Sequence, residues 1–345
     1  MSPNPTGAIS AVTGGPPEEM NEMPPEAIDL GGRPNATQLA HSESRRAISP
    51  FQRIAWLVTP FARDTGALHR TANTIRALTQ GDDAVEVLPV CATSDLQNRA
   101  HPEDFFHGKD FGLSGLQKIR SLPHKGDYAE AAALTLDHFA SDVQADLITV
   151  SSHTLDSKSH VWTLGFTEIL SSLSERPVLS INSAAEVPER FDHVLFATDW
   201  AADSRATFEK LVAFAEVAHF RITLFHNKEM TPIEHDAFAA PFLGWGIEKY
   251  WESHQEHALG LGREWRKWAR ERGVEASLAV ESISGSLGRA IIEKADTLGC
   301  DLIALTKRPH RDRFRNSPLS RVIYRAHCPT LLMGDIRDTA LLMRS

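Results

Sequence analysis

From Arg53 onward the chain alternates short apolar runs with longer stretches whose apolar residues recur at helical spacing. Ile54 to Thr59 is a continuous apolar run, the pattern of a strand covered on both faces. Ala67 to Leu78 follows with Ala67, Leu68, Thr71, Ile75 and Leu78 on one helical face, predicting a helix laid on a sheet. Gly81-Asp82-Asp83 breaks that pattern, and Val85 to Cys91 reads as a second strand. Residues 94–115 have little periodicity and predict an irregular crossover, with a third strand at Leu116 to Leu122. Asp127 to Phe139 predicts an alanine-rich helix with Asp127 near its N-terminus. Leu147–Val150, a helix over Val161–Leu173 and Val178–Ile181 complete a first set.

A second set begins at Phe191. Its predicted strands are His193–Thr198, Ile222–Phe225, Ala276–Glu281, Leu302–Leu305 and Thr330–Met333. Its predicted helices are Ser204–Ala218, Ile247–Arg272, Leu287–Leu298 and Pro318–Arg325. The two sets repeat one another: Thr59 to Ala67 aligns without a gap on Thr198 to Ala206, each segment closing a strand and opening a helix. Asp146-Leu147-Ile148 answers Asp301-Leu302-Ile303, and Arg176-Pro177-Val178 answers Cys328-Pro329-Thr330. Matched blocks in one order mean a duplicated α/β domain. Short strands alternating with long helices predict parallel βαβ units, so each copy is an open five-stranded sheet.

Composition narrows the function classes. A length of 345 residues suits two domains, and 42% hydrophobic with 23% charged residues is ordinary for a globular protein. A formal charge of −9 argues against a general nucleic-acid binder. No apolar run reaches the roughly 20 residues that span a bilayer. Cys91, Cys300 and Cys328 are too scattered for a disulfide framework or a zinc site, and a reducing cytoplasm is the expected setting. Residues 1–50 hold eight of the 19 prolines, with Gly14-Gly15 and Gly31-Gly32, and predict a disordered leader without a secretory signal. The domains are expected at 52–183 and 190–335, joined by a linker near Ser183–Glu189 and followed by a tail at 336–345.

These motifs resemble those of a tandem universal stress protein. Thr198-Asp199 before a helix with Ala206 and Ala213 resembles the family's first strand and helix. Gly285-Ser286-Leu287-Gly288 ahead of Ile291-Ile292 resembles its glycine-led third helix, Asp301-Leu302-Ile303 its fourth strand, and His327-Cys328-Pro329-Thr330-Leu331-Leu332 its last strand. The resemblance implies a Rossmann-like fold of the adenine-nucleotide α-hydrolase-like kind. It further implies an internal pseudo-dimer in which Val178–Ile181 pairs antiparallel with Thr330–Met333, removing an exposed edge strand.

It also implies where a ligand would sit: beyond the carboxyl ends of the strands, at the topological switch. Nucleotide-binding members hold ATP there with a glycine loop of the form Gly, two residues, Gly, nine residues, Gly and Ser or Thr. Glycines let backbone N–H groups approach phosphates, and a helix N-terminus adds a favourable dipole. In copy two the first two glycine places fall on Thr306 and Pro309, and the loop reaches Asn316-Ser317 early, so no loop glycine survives. In copy one the corresponding positions are Ser151, Thr154 and Gly165, and Pro60 replaces the aspartate that copy two keeps as Asp199. The candidate site residues are therefore Asp199, Gly285, Thr306, Arg308, Arg311, Asn316 and Ser317 in copy two, with Ser151, Thr154 and Gly165 in copy one.

Lys307, Arg308, Arg311, Arg313 and Arg315 cluster with His310 in the copy-two loop, as either an anion site or a solvated basic loop. Ser151-Ser152-His153 lacks a third catalytic partner, and His254 with His257 reads as a surface pair. Tyr250, Trp251, Trp265 and Trp268 on one long helix suit packing or a protein interface. The expected function is a non-enzymatic cytoplasmic stress-response protein acting through an unidentified protein partner, with degenerate pockets and no cofactor; higher assembly as a homo-oligomer would run through the Trp-rich helix. The alternative is an adenine-nucleotide sensor taking ATP or AMP in a noncanonical pocket.

Overall fold

The computed structural model of the protein describes residues 49–58, 65–94, 110–124, 129–152, 165–227, 244–281, 285–307 and 318–334. Almost the whole expected leader, the expected tail, Asp127 and the start of the helix expected from Val161 lie outside the described residues. Every described residue belongs to one compact unit that begins at Ala47.

Copy one contributes β1 (Arg53–Leu57), α1 (Thr65–Thr79), β2 (Glu86–Ser94), β3 (Arg120–His124), α2 (Ala129–Asp142), β4 (Leu147–Ser152), α3 (Phe166–Leu173) and β5 (Val178–Asn182). Copy two contributes β6 (His193–Ala197), α4 (Ala202–Ala218), β7 (Arg221–Asn227), α5 (Gly244–Glu271), β8 (Ala276–Glu281), α6 (Leu287–Leu298), β9 (Leu302–Thr306), α7 (Pro318–Arg325) and β10 (Thr330–Met333). The third strand differs from expectation. It starts at Arg120; Leu113, Leu116 and Ile119 of the irregular backbone before it pack against the core, and that segment touches β2 through a single bridge from Val87 to Leu116.

The ten strands form one sheet in the order β3-β2-β1-β4-β5-β10-β9-β6-β7-β8. Each copy thus has the same internal order, and the halves meet antiparallel at β5 and β10, with Thr330 opposite Ser180, Leu331 opposite Leu179 and Leu332 opposite Val178. The expected pseudo-dimer pairing is present. Two apolar clusters cover the two faces, and each draws on both copies: Phe51 packs edge-on to Phe214, with ring centroids 5.3 Å apart. The cores are shared across the copies instead of separate. Each fully buried aliphatic or aromatic side chain, such as Ile54, Trp56, Leu179 or Phe196, contributes about 1.5–3 kcal/mol.

The repeated residues have repeated duties. The Asp146 carboxylate accepts the backbone N–H groups of Gln52 and Arg53 at the start of β1, both at 2.9 Å. Asp301 does the same for Asp192 and His193 at the start of β6. Burial pushes the Asp301 carboxyl up, and those backbone donors pull it down. Gln80 and His219, at aligned positions, both end their helices in the left-handed region, with φ of 52° and 59°. The expected linker is packed across the junction: Ala185 is buried and the Glu186 N–H donates to the His327 carbonyl at 2.7 Å.

Candidate functional site

In copy two the chain leaves β6 toward β7 on one side and returns through β9 on the other, so the strand order reverses between β6 and β9. A ligand crevice belongs there by topology. Ala197 of β6, Phe225, His226 and Asn227 of β7, and Leu305 and Thr306 of β9 supply its floor. Ser204 of α4, Leu287 and Ile291 of α6, and Pro318 and Leu319 of α7 form the walls, and Thr198 and Asp199 the lip. The cleft encloses about 210 Å³. Sites that take up a drug-sized ligand are larger, roughly 300–1,000 Å³.

The lip is a tight corner. Asp199 Oδ1 accepts the Ala201 N–H at 3.1 Å and the Ser204 hydroxyl at 2.7 Å, satisfying donors at the start of α4. Trp200 lies in the left-handed region with φ of 63°, a conformation that costs an L-residue about 1–2 kcal/mol. Its neighbours offset that cost. Its N–H donates to Thr198 Oγ1 at 3.0 Å, and its ring meets Trp265 edge-on at 5.0 Å and His226 at 5.4 Å. His226 Nδ1 lies 2.8 Å from the Thr198 carbonyl, which can only accept, so Nδ1 carries the proton.

Of the expected copy-two residues, the structure brings Asp199 and Thr306 together in one cleft. Gly285, with φ of 127°, is not part of the lining; it turns the chain into α6, whose Leu287 is. Arg308, Pro309, Arg311, Asn316 and Ser317 lie outside the described residues, as do His310, Arg313 and Arg315. Lys307 departs from the expected basic cluster. It is 4% exposed, and its Nζ donates to the Ser174 carbonyl of copy one at 3.2 Å and to the Arg176 carbonyl. Burial pulls its pKa down to about 7, against the pull of Asp137, with Arg176 and Lys210 lowering it further.

In copy one the two described candidates, Ser151 and Gly165, are engaged within the fold. Ser151 Oγ lies 2.7 Å from Thr71 Oγ1. The Gly165 N–H donates to the Tyr324 hydroxyl at 3.1 Å, and that hydroxyl donates to Glu168 Oε2 at 2.7 Å. The glycine expected to face a phosphate faces a side chain of copy two. Thr154 and His153 lie outside the described residues, as do Pro60 and Phe61.

Other candidate chemistry resolves into packing. Trp265 stacks on Phe208 at 5.4 Å, and the guanidinium of Arg205 sits 4.8 Å from the Trp268 ring. Burial pushes the Cys91 and Cys300 thiols up to about 12 and the Cys328 thiol higher, which keeps them protonated and poorly nucleophilic. Among the described residues no group of His, Cys, Asp or Glu is arranged to hold a metal, and no helix is long and apolar enough to cross a membrane.

Sequence reasoning missed Ser204, His226, Asn227 and the apolar walls. The parallel register of β7 on β6, with Phe225 opposite Ala197, carries the residues after Phe225 to the crevice and was the available signal.

Fold and cleft together define an open α/β domain with its ligand crevice at the topological switch. Residues 190–333, which span copy two, match the Universal stress protein family model. Copy one repeats its fold. A universal stress protein from Archaeoglobus fulgidus DSM 4304 is similar at 14% identity and a TM-score of 0.55, over 81% of this chain and 96% of its own. A functionally unknown protein from Pseudomonas aeruginosa PAO1 is similar at 14% identity and a TM-score of 0.54, over 87% of this chain and 98% of its own. At such identity the likeness is one of fold. No curated protein sequence matches the chain.

Proposed function

We propose that the protein is a non-catalytic stress-response protein with one working ligand site, the cleft of copy two. Copy one serves as its built-in structural partner. The observation that carries this reading is the cleft of copy two, which gathers Asp199, Thr306 and apolar walls around about 210 Å³; among the described residues of copy one, Ser151 and the Gly165 N–H are engaged with Thr71 and Tyr324. The ligand class that the family resemblance suggests is an adenine nucleoside or nucleotide. A cleft of this size suits the nucleoside part, with any phosphates reaching outward.

A second reading keeps both pockets idle and gives the work to a protein partner in the cytoplasm. It draws support from Asp199, whose Oδ1 already serves the start of α4, and from Thr306 standing where a loop glycine is expected. Calorimetric titration of the full chain with AMP, ATP and cAMP, with mass spectrometry of co-purified small molecules, separates the two. Saturable binding that Ala197→Phe abolishes supports the ligand site. Absence of binding to all three leaves the partner-protein reading.

A further inference from the structure

Helix α3 has eight residues, shorter than the roughly 12–15 that an isolated helix needs to hold together in water. Its order therefore depends on what surrounds it, and both of its ends are held by side chains of copy two. At the N-terminal end the Gly165 N–H donates to Tyr324 Oη, and the same hydroxyl donates to Glu168, which is 1% exposed. At the C-terminal end Lys307 Nζ donates to the carbonyls of Ser174 and Arg176. The polarity is right at each end: acceptors meet the helix N-terminus and a donor-rich amine meets the C-terminus.

The two side chains that hold α3 stand on the elements that build the copy-two cleft. Lys307 follows Thr306 of the cleft floor, and Tyr324 rides on α7, whose Pro318 and Leu319 are cleft wall. Helix α7 is itself wedged against α6, where a β-carbon on Gly288 would lie 2.6 Å from the Pro318 carbonyl. A change in the cleft wall thus has a rigid path to both ends of α3.

We propose that α3 is the element through which copy two's cleft controls copy one, with Tyr324 and Lys307 as the two grips. This rests on the reading of that cleft as the ligand site, and it adds a direction of signalling. An occupant that shifts Leu319 or Thr306 changes the hold on α3.

Hydrogen exchange of the full-length protein tests this without a ligand. Tyr324→Phe with Lys307→Met is expected to speed exchange in peptides from 166–174 by about three- to tenfold, the scale of losing hydrogen bonds of this kind, while peptides from 193–227 stay unchanged as the control for folding. Leu319→Ala, a change in the cleft wall, is expected to speed α3 exchange in the parent chain and to add nothing in the double variant. An equal Leu319→Ala effect in both backgrounds, or none in the parent, overturns the coupling. AMP titration is read separately: binding that leaves α3 exchange unchanged sinks the coupling alone, and failure to bind any nucleotide sinks the ligand assignment alone.

Discussion

Gly288 stands so close to Pro318 that a β-carbon on residue 288 would lie 2.6 Å from the Pro318 carbonyl oxygen and 2.9 Å from Arg321 Cβ. The obstacle is partly backbone, which cannot rotate away. Gly288→Ala is therefore expected to destabilise the fold by about 1–3 kcal/mol, despite alanine's better helix propensity, by prying α7 from α6. Urea unfolding measures the loss, and a change within 0.5 kcal/mol, roughly the scale of surface substitutions, would show that the helices can part without cost.

The buried Lys307 predicts a particular pH dependence. Its pKa is lowered from 10.5 to about 7, so between those values the unfolded chain holds the proton and the folded chain does not. Stability contributed by this group rises with pH across that window, by at most about 1.4 kcal/mol per unit, and is flat below it. Subtracting the stability curve of Lys307→Met from that of the parent between pH 7 and 9 isolates the slope. A flat difference curve would contradict the burial of a titrating amine.

The Asp199 carboxylate braces the turn into α4 before it is anything else. Asp199→Ala removes the acceptor of both the Ala201 N–H and the buried Ser204 hydroxyl, and is expected to cost about 0.5–2 kcal/mol. Asp199→Asn keeps an acceptor oxygen and should lose less. Equal losses in chemical denaturation would assign the effect to charge in place of these hydrogen bonds.

Residues 190–345 expressed alone leave β10 without its partner β5 and uncover core residues such as Phe214 that meet copy one. An unpaired edge strand beside exposed apolar surface seeks a substitute. The fragment is expected to dimerise through β10, read by analytical ultracentrifugation. Leu332→Pro, which removes a donor on the side of β10 that faces β5, should return it to monomer or unfold it. A monomeric fragment of normal stability would mean that the seam contributes little.

Much of the fold was legible along the chain because its signals are local. The apolar run at Ile54 and the helical face of Leu68, Thr71, Ile75 and Leu78 record contacts made by every strand and helix of this class, and those residues are buried. The aspartates of the repeated Asp-Leu-Ile motif were visible as a repeat, but their shared duty at the strand starts was not. The site was half legible. Asp199 and Thr306 stand at strand ends that topology brings together, whereas Ser204 and His226 carry no distinguishing pattern.

Periodicity by itself determined most of the elements and their order, since each depends on residues a few positions apart, and the recurrence of the same local motifs showed the duplication. Only the tertiary structure decided what Lys307, Gly165 and Tyr324 do. Lys307 reads as one cation among several in a basic loop, and Gly165 as the last glycine of a phosphate loop. Their partners lie 133 and 159 residues away. Contacts at that separation are set by how the two copies join at β5 and β10 into one sheet, which buries one amine and commits one backbone N–H across the junction.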